Sequence, residues 1–401
     1  MKIVSIAERT APIASSLRNA RIDFSEITAS VVAVVTDQFR DGRRVVGHAF
    51  NSFGRYGCGG PLRERFIPRL LRATPAELND PASGIVDPQR ALDLMLRREK
   101  AGAHAERSMA VGTLELALWD IVGKYHGVPV YELLGGPCRD RIRMYRGVGG
   151  ATPEAAAAAA LAAKEQGFDC LKTGAADGAC RLIDTPRIVD DAVARIAAMR
   201  EAVGRDFDIA IDCHGRFSPA MALRFCDAVA DLTPMFVEEP VLPENVDALA
   251  ALTRKARVPI ATGERLYTKW EFREVLEKCE LAVVQPDLSH AGGISESKKI
   301  AALAEAWYVA LAPHCPLGPV ALAACLQVDA CCPNFLVQEH TPDALGKGYL
   351  RQPLVVENGH IALPTGPGLG IELDEEAIAA MPSHDWLTPQ LRHADGSVAD
   401  W

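Results

Sequence analysis

The chain has 401 residues, 49% apolar and 24% charged, with 43 Lys and Arg against 52 Asp and Glu for a net charge of −9. That balance excludes disordered, collagen-like and coiled-coil classes, and the length suits a large barrel plus an accessory domain. A net acidic chain without a basic run also excludes nucleic acid as the main partner, because neutralising phosphates needs clustered cations.

Eleven cysteines fall without a CxxC or a Cys/His zinc spacing, which predicts reduced, buried thiols in a cytoplasmic protein. The opening MKIVSIAERTAPIA lacks the apolar stretch and small-residue cleavage site of a secretory signal. The most membrane-like stretch, 308–337, carries Pro313, His314, Pro316, Pro319, Gln327 and Asp329. It reads as buried strand, loop and helix, so no membrane partner is expected.

In chain order, Lys2–Ile6, Ala29–Val35 and Arg43–Phe50 read as strands, with Asp41-Gly42 turning between the second and third. A Gly-rich loop, 51–60, follows. Leu62–Leu71, Pro88–Lys100 and Glu106–Tyr125 then show helical spacing, the last with a one-sided core stripe through Val111, Leu114, Leu118, Ile121 and Val122. From about Arg141 short apolar strands alternate with Ala-rich helices. The strands are Ile142–Val148, Cys170–Lys172, Phe207–Asp212, Met235–Glu238, Pro259–Glu264, Leu281–Asp287, Val309–His314 and Phe335–Glu339. Thr152–Gln166, Thr185–Val203 and Ser295–Ala306 are the clearest helices between them. Eight such strands predict a parallel, TIM-type (β/α)8-like barrel, in the α/β class. The expected division is an α+β capping domain over 1–134, the barrel over 135–340, and a segment 341–401 that returns to the cap.

The residues that close these strands carry the chemistry. Asp212, Glu238, Glu264, Asp287, His314 and Glu339 follow one another at intervals of 26, 26, 23, 27 and 25 residues, one per βα unit. A single acid at a strand end is an ordinary helix cap. Six ionisable groups in step converge on the C-terminal mouth, where barrel active sites are built. Asp212, Glu238 and Glu264 lie on consecutive strands and offer only hard oxygens, which favours Mg²⁺ or a similar cation over zinc. His214, two residues past Asp212, is expected on the same side by strand alternation. His314 lies on the opposite strand of the barrel, with Asp287 one strand before it to hold its Nδ1–H. Together these groups suit abstraction of a proton α to a carboxylate. His314 would take it, His214 as imidazolium would protonate a departing β-hydroxyl, and a protonated Glu339 would hydrogen-bond a carboxylate oxygen.

FDIAIDCHGR (207–216), PMFVEEPVLPEN (234–245), IATGERLYTKWEF (260–272), VVQPDLSHAGGISE (283–296), LAPHCPLGPVALAACL (311–326) and the closing DW…RHADGSVADW resemble the enolase superfamily, in its mandelate-racemase-like branch. The barrel half is similar to the D-galactonate dehydratase type. SSLRNARIDFSEITASVVAVVTD (15–37), GHAFNSFGRYGCGG (47–60) and GAHAERSMAVGTLELALWD (102–120) are similar instead to a D-tartrate dehydratase type of cap. The resemblance implies Mg²⁺ on Asp212, Glu238 and Glu264, His314 with Asp287 as base, His214 as acid, and Glu339 stabilising the intermediate. Lys172 stands alone where many members carry Lys-x-Lys, since residue 174 is glycine, and is assigned to substrate binding. So are Arg18, Arg55 and Tyr56, in cap loops near 15–25 and 50–60. The implied activity is dehydration of a small-molecule acid sugar to a 2-keto-3-deoxy acid, with a D-galactonate-like aldonate as substrate. The alternatives are a tartrate-like or aldarate diacid, or racemisation or epimerisation of a 2-hydroxy acid. A homo-oligomer is the expected assembly.

Overall fold

A computed structural model describes residues 1–12, 25, 27–50, 58–97, 105–175, 185–316, 318–382, 390–392 and 395–399. The N-terminal part is an antiparallel sheet of β1 (Ile3–Pro12), β2 (Thr28–Arg40) and β3 (Arg43–Phe50), in that order. Asp41 and Gly42 both take positive φ, 50° and 77°, the backbone a two-residue hairpin turn between twisted strands requires. Helix α1 (Pro88–Leu96) starts on Asp87, whose carboxylate accepts the Gln89 and Arg90 N–H groups. Helix α2 (Glu106–His126) ends at Gly127, left-handed at φ 71°.

The sequence predicts one buried stripe on α2, yet every residue from Ser108 to Leu118 is buried. The reason is a second partner. The sheet covers one side, so closely that a Cβ on Gly47 of β3 would lie 2.0 Å from the Ala117 carbonyl oxygen. The barrel covers the other, where a Cβ on Gly112 would lie 3.0 Å from the carbonyl oxygen of Ser289.

The barrel strands are β4 (Arg146–Val148), β5 (Cys170–Gly174), β6 (Asp208–Asp212), β7 (Phe236–Glu238), β8 (Ile260–Thr262), β9 (Val283–Val284) and β10 (Ala310–Leu311). They pair side by side in sequence order, every pair parallel. The eighth expected strand closes the ring through single parallel bridges, Leu311 to Phe335 on one edge and Met144 to Gln338 on the other. Helices α3 (Pro153–Glu165), α4 (Pro186–Val203), α5 (Pro219–Val229), α6 (Val246–Thr253), α7 (Lys269–Lys278), α8 (Ile294–Ala306) and α9 (Pro319–Cys331) make the crossovers. The expected strand over 142–148 is interrupted. Arg141–Arg143 pairs antiparallel with His360–Ala362, and the barrel strand resumes at Arg146.

The apolar membrane-like run proves to be β10, the following loop and α9, whose residues are all buried. Among the described residues no helix is long and apolar enough to cross a membrane. The ten described cysteines are all free. After residue 340 the chain lies against the N-terminal elements: Arg9 donates to the Ala379 carbonyl, Leu369 N–H to Asp120, and Tyr349 Oη to the Pro12 carbonyl.

The barrel separates two cores. Leu171, Ile209, Ile211, Val237, Ile260, Val284 and Leu311 pack outward under the helices. Tyr145, Cys170, Ala210, Phe236, Ala261, Val283, Ala312 and Val337 form a separate cluster inside the ring. Alternation along each strand then fixes the next inward layer, two residues on and nearer the mouth.

Candidate active site

That next layer is Gly147, Lys172, Asp212, Glu238, Gly263, Gln285, His314 and Glu339. Four of the six ionisable residues singled out from sequence therefore stand in one ring above an apolar floor. Asp212, Glu238 and Glu264 bring one oxygen each to within 4.8 Å of one another, as expected. Glu264 arrives differently from the others. Gly263 takes the inward position, with its Cα so close to strand β9 that a Cβ would lie 2.6 Å from Gln285 backbone atoms. The chain leaves β8 there, and the turn swings Glu264 to the mouth. His214 also reaches the predicted side by another route. The strand ends at Asp212, and His214 sits in a left-handed turn at φ 51°, with Nε2 3.3 Å from Asp212 Oδ2.

The mouth is dominated by unbalanced negative charge. Lys172, 11% exposed, extends Nζ to 3.1 Å from Asp212, 3.1 Å from Glu238 and 2.8 Å from Glu339. Burial opposes its charge, but Glu238, Glu339, Tyr145 and Asp212 together hold its pKa well above the ordinary lysine value. Arg265 pairs with Glu264 and Glu239. Even so, burial, followed by repulsion from Asp212, pushes the Glu238 carboxyl up to about 8. Burial would raise Asp212 likewise, but His214 and Lys172 hold it well below the usual carboxylate range. This donor set of three clustered carboxylates, drawing two cationic side chains onto itself, fits a hard divalent cation.

His314 Nδ1 lies 2.9 Å from Asp287 Oδ2, and Nε2 lies 3.2 Å from Glu264 and 3.9 Å from Glu339. Burial alone would lower its pKa. The carboxylates of Glu264 and Glu339, with the Asp287 hydrogen bond, overcome this and raise it to about 9. Glu339 departs from expectation. Burial would raise its pKa, but Lys172 and His314 hold it below the ordinary value, and it accepts the Cys315 N–H at 2.9 Å. Its ion pair with Lys172 and its bond from the Cys315 N–H both favour the charged form, whereas the expected role calls for a proton on it. His214 shifts downward, loss of surrounding water outweighing the pull of Asp212 and Glu264. Arg18, Arg55 and Tyr56 lie outside the described residues.

Sequence reading missed four participants. Arg265 and Glu239 directly follow two of the three clustered carboxylates, which was their only signal. Gln285 stands two residues before Asp287, with its amide buried and without a protein partner. His290 comes within 3.7 Å of Asp287 Oδ2, the oxygen that also holds His314, so that these three also cluster.

An acid-lined barrel mouth with a His–Asp pair on neighbouring strands, under an α+β cap, defines the class. Residues 154–377 match the model for enolase C-terminal domain-like proteins, and 79–135 match the mandelate racemase/muconate lactonizing enzyme N-terminal domain. The chain belongs to the mandelate racemase/muconate lactonizing enzyme family of the enolase superfamily. It is 44% identical over 361 residues to a D-galactonate dehydratase of Variovorax paradoxus, covering 87% of this chain and 94% of that one. It is 42% identical over 363 residues to a D-galactonate dehydratase of Xanthomonas euvesicatoria, with the same coverage. Among solved structures, a member of the enolase superfamily from Salmonella Typhimurium superposes with a TM-score of 0.83 at 28% identity, covering 95% of this chain and 98% of that one. An enolase from Agrobacterium radiobacter, bound to Na and L-malate, superposes over the full length of both chains with a TM-score of 0.82 at 29% identity.

Proposed function

We propose that the protein is a Mg²⁺-dependent hydro-lyase that dehydrates an acid sugar, with a D-galactonate-like aldonate as substrate. The observation that carries the reading is the His314–Asp287 pair, whose Nε2 is directed at a cluster of three carboxylates. The kinship with D-galactonate dehydratases over most of the chain supports the choice of substrate.

Asp212, Glu238 and Glu264 would hold the cation, which supplies the positive charge that lets His314 lose its proton at neutral pH and neutralises charge developing on the substrate carboxylate. Asp287 fixes the imidazole so that Nε2 faces the substrate, and Nε2 accepts the C2 proton. The electron pair left at C2 moves into the carboxylate and returns to expel the β-hydroxyl. His214, on the opposite side of the mouth, gives that hydroxyl a proton, so that water leaves. The resulting enol becomes a 2-keto-3-deoxy acid by gaining a proton at C3 and losing the one on its C2 hydroxyl. Lys172 offers the substrate carboxylate an ammonium, and doing so frees Glu339 from its ion pair and allows it to accept a proton. We assign the distal end of the substrate to Arg18, Arg55 and Tyr56 of the cap loops.

The test is a panel of aldonates and aldarates incubated with enzyme and Mg²⁺ and assayed with semicarbazide for 2-keto acid. D-Galactonate is expected to react, and absence of turnover across the panel defeats the proposal.

A further inference from the structure

Glu115 is a fully buried carboxylate in the middle of α2, in a segment apolar enough to be continuous core. Its partners lie across the boundary between cap and barrel. Oε2 accepts the Ile294 N–H at 2.7 Å, and Oε1 accepts the Ser295 N–H at 2.9 Å and the Trp119 indole N–H at 2.8 Å. Helix α8 has Gly293 at its N-cap and so has no side chain of its own to satisfy its first donors. Glu115 takes that place from another part of the chain. The packing is built around it: a Cβ on Gly293 would lie 2.0 Å from Glu115 Oε2, and one turn earlier Gly112 abuts the Ser289 and Gly293 backbone.

The turn thus anchored, 288–293, runs directly from Asp287 to α8. Within it Ser289 N–H donates to Asp287 Oδ1 at 2.8 Å, and the His290 and Ala291 N–H groups donate to the Asp287 carbonyl. Asp287 Oδ2, the other oxygen, holds His314 Nδ1 at 2.9 Å. One hydrogen-bonded path therefore joins the cap helix to the imidazole. The arrangement also works against stability: burial raises the Glu115 pKa to about 7 despite its hydrogen bonds. An apolar residue would pack α2 without that penalty but would leave the first turn of α8 unheld.

We propose that Glu115 is a positioning residue for the Asp287–His314 dyad, fixing the 288–293 turn, and with it the Asp287 carboxylate, from the cap side. The proposal rests on reading His314 as the base.

The experiment compares the full-length enzyme with its Glu115→Gln variant, which keeps the size of the side chain but presents one acceptor oxygen and an NH₂ to three N–H donors. With saturating Mg²⁺ and D-galactonate, kcat is expected to fall about tenfold with KM within about twofold, as for a misplaced catalytic group rather than lost substrate contact. Hydrogen exchange is expected to quicken at the amides of 288–295 and to stay unchanged in β5–β7. Glu115→Asp, which keeps the charge but is one methylene short, is expected to fall between the two and serves if the Gln variant does not fold. Unchanged kcat together with unchanged protection of 288–295 overturns the proposal. So does a loss of protection spread evenly over the barrel, which marks a stabilising contact only. Hydrogen exchange needs no turnover, so it tests the Glu115 contact on its own. Turnover by His314→Asn, measured separately, would remove the base assignment instead.

Discussion

Lys172→Met is the most direct test of how the barrel mouth manages its charge. The substitution keeps the length of the side chain and removes an ammonium 3.1, 3.1 and 2.8 Å from Asp212, Glu238 and Glu339, each less than a tenth exposed. Stranding a buried charge by removing its partner costs about 3–5 kcal/mol. At about 2.1 cal/mol/K per residue, an unfolding entropy for the chain is about 0.8 kcal/mol/K, so the cost corresponds to a Tm lowered by about 4–6 °C. That value applies in EDTA. A divalent cation on Asp212, Glu238 and Glu264 replaces the missing charge at two of the three stranded groups, so saturating Mg²⁺ is expected to close most of the gap. Differential scanning calorimetry of both proteins, with EDTA and with Mg²⁺, measures this. Equal Tm values in EDTA, or a gap of the same size with and without Mg²⁺, would refute the reasoning.

The assigned roles make His314→Asn lose both dehydration and solvent deuterium exchange at C2. His214→Asn is expected to lose dehydration while keeping exchange, and NMR of the recovered substrate in D₂O separates the two; the opposite pattern reverses the roles. Glu264→Gln is expected to weaken Mg²⁺ binding by at least about tenfold by calorimetric titration, since one of three ionic ligands becomes neutral. Unchanged affinity removes Glu264 from the ligand set. Glu115 has a folded pKa of about 7 against an unfolded value near 4.5. The folded state therefore binds more protons between those values, and stability falls as pH rises through the window, by about 3 kcal/mol in all. Denaturant titrations at pH 5 and pH 8 are expected to show that loss in the wild type and not in Glu115→Gln. Parallel profiles would contradict it.

The barrel was legible because its strands are buried on both faces. They read as short apolar runs, and each change to a charged residue marks where a strand meets the mouth. The spacing of those changes identified Asp212, Glu238, Asp287, His314 and Glu339 without knowledge of strand pairing. Glu264 and His214 were found with the right location but an incomplete reason, because both lie past the end of the regular strand, where turn geometry replaces alternation. The Lys172 ion pairs could not be read locally. They exist only because closing the ring sets β5 within reach of both β7 and the segment at 339, 66 and 167 positions along the chain. The proton affinity of Glu339 is tied to that same contact with Lys172. For Glu115 the signal was present in Leu114-Glu115-Leu116, a charge inside a buried helix. Its acceptor role required knowing that the helix has core on both sides.

The ring above the apolar floor includes two glycines with opposite tolerance for change. A Cβ at Gly263 would strike the backbone of Gln285, just past strand β9, so that position is closed to any other residue. At Gly147, paired with Lys172 in the adjacent strand, a Cβ meets nothing within 4 Å. Of the two glycine positions in the ring, only 147 is open. Residue 147 can thus carry the first atom of a side chain into the ring without displacing a neighbour, whereas residue 263 cannot.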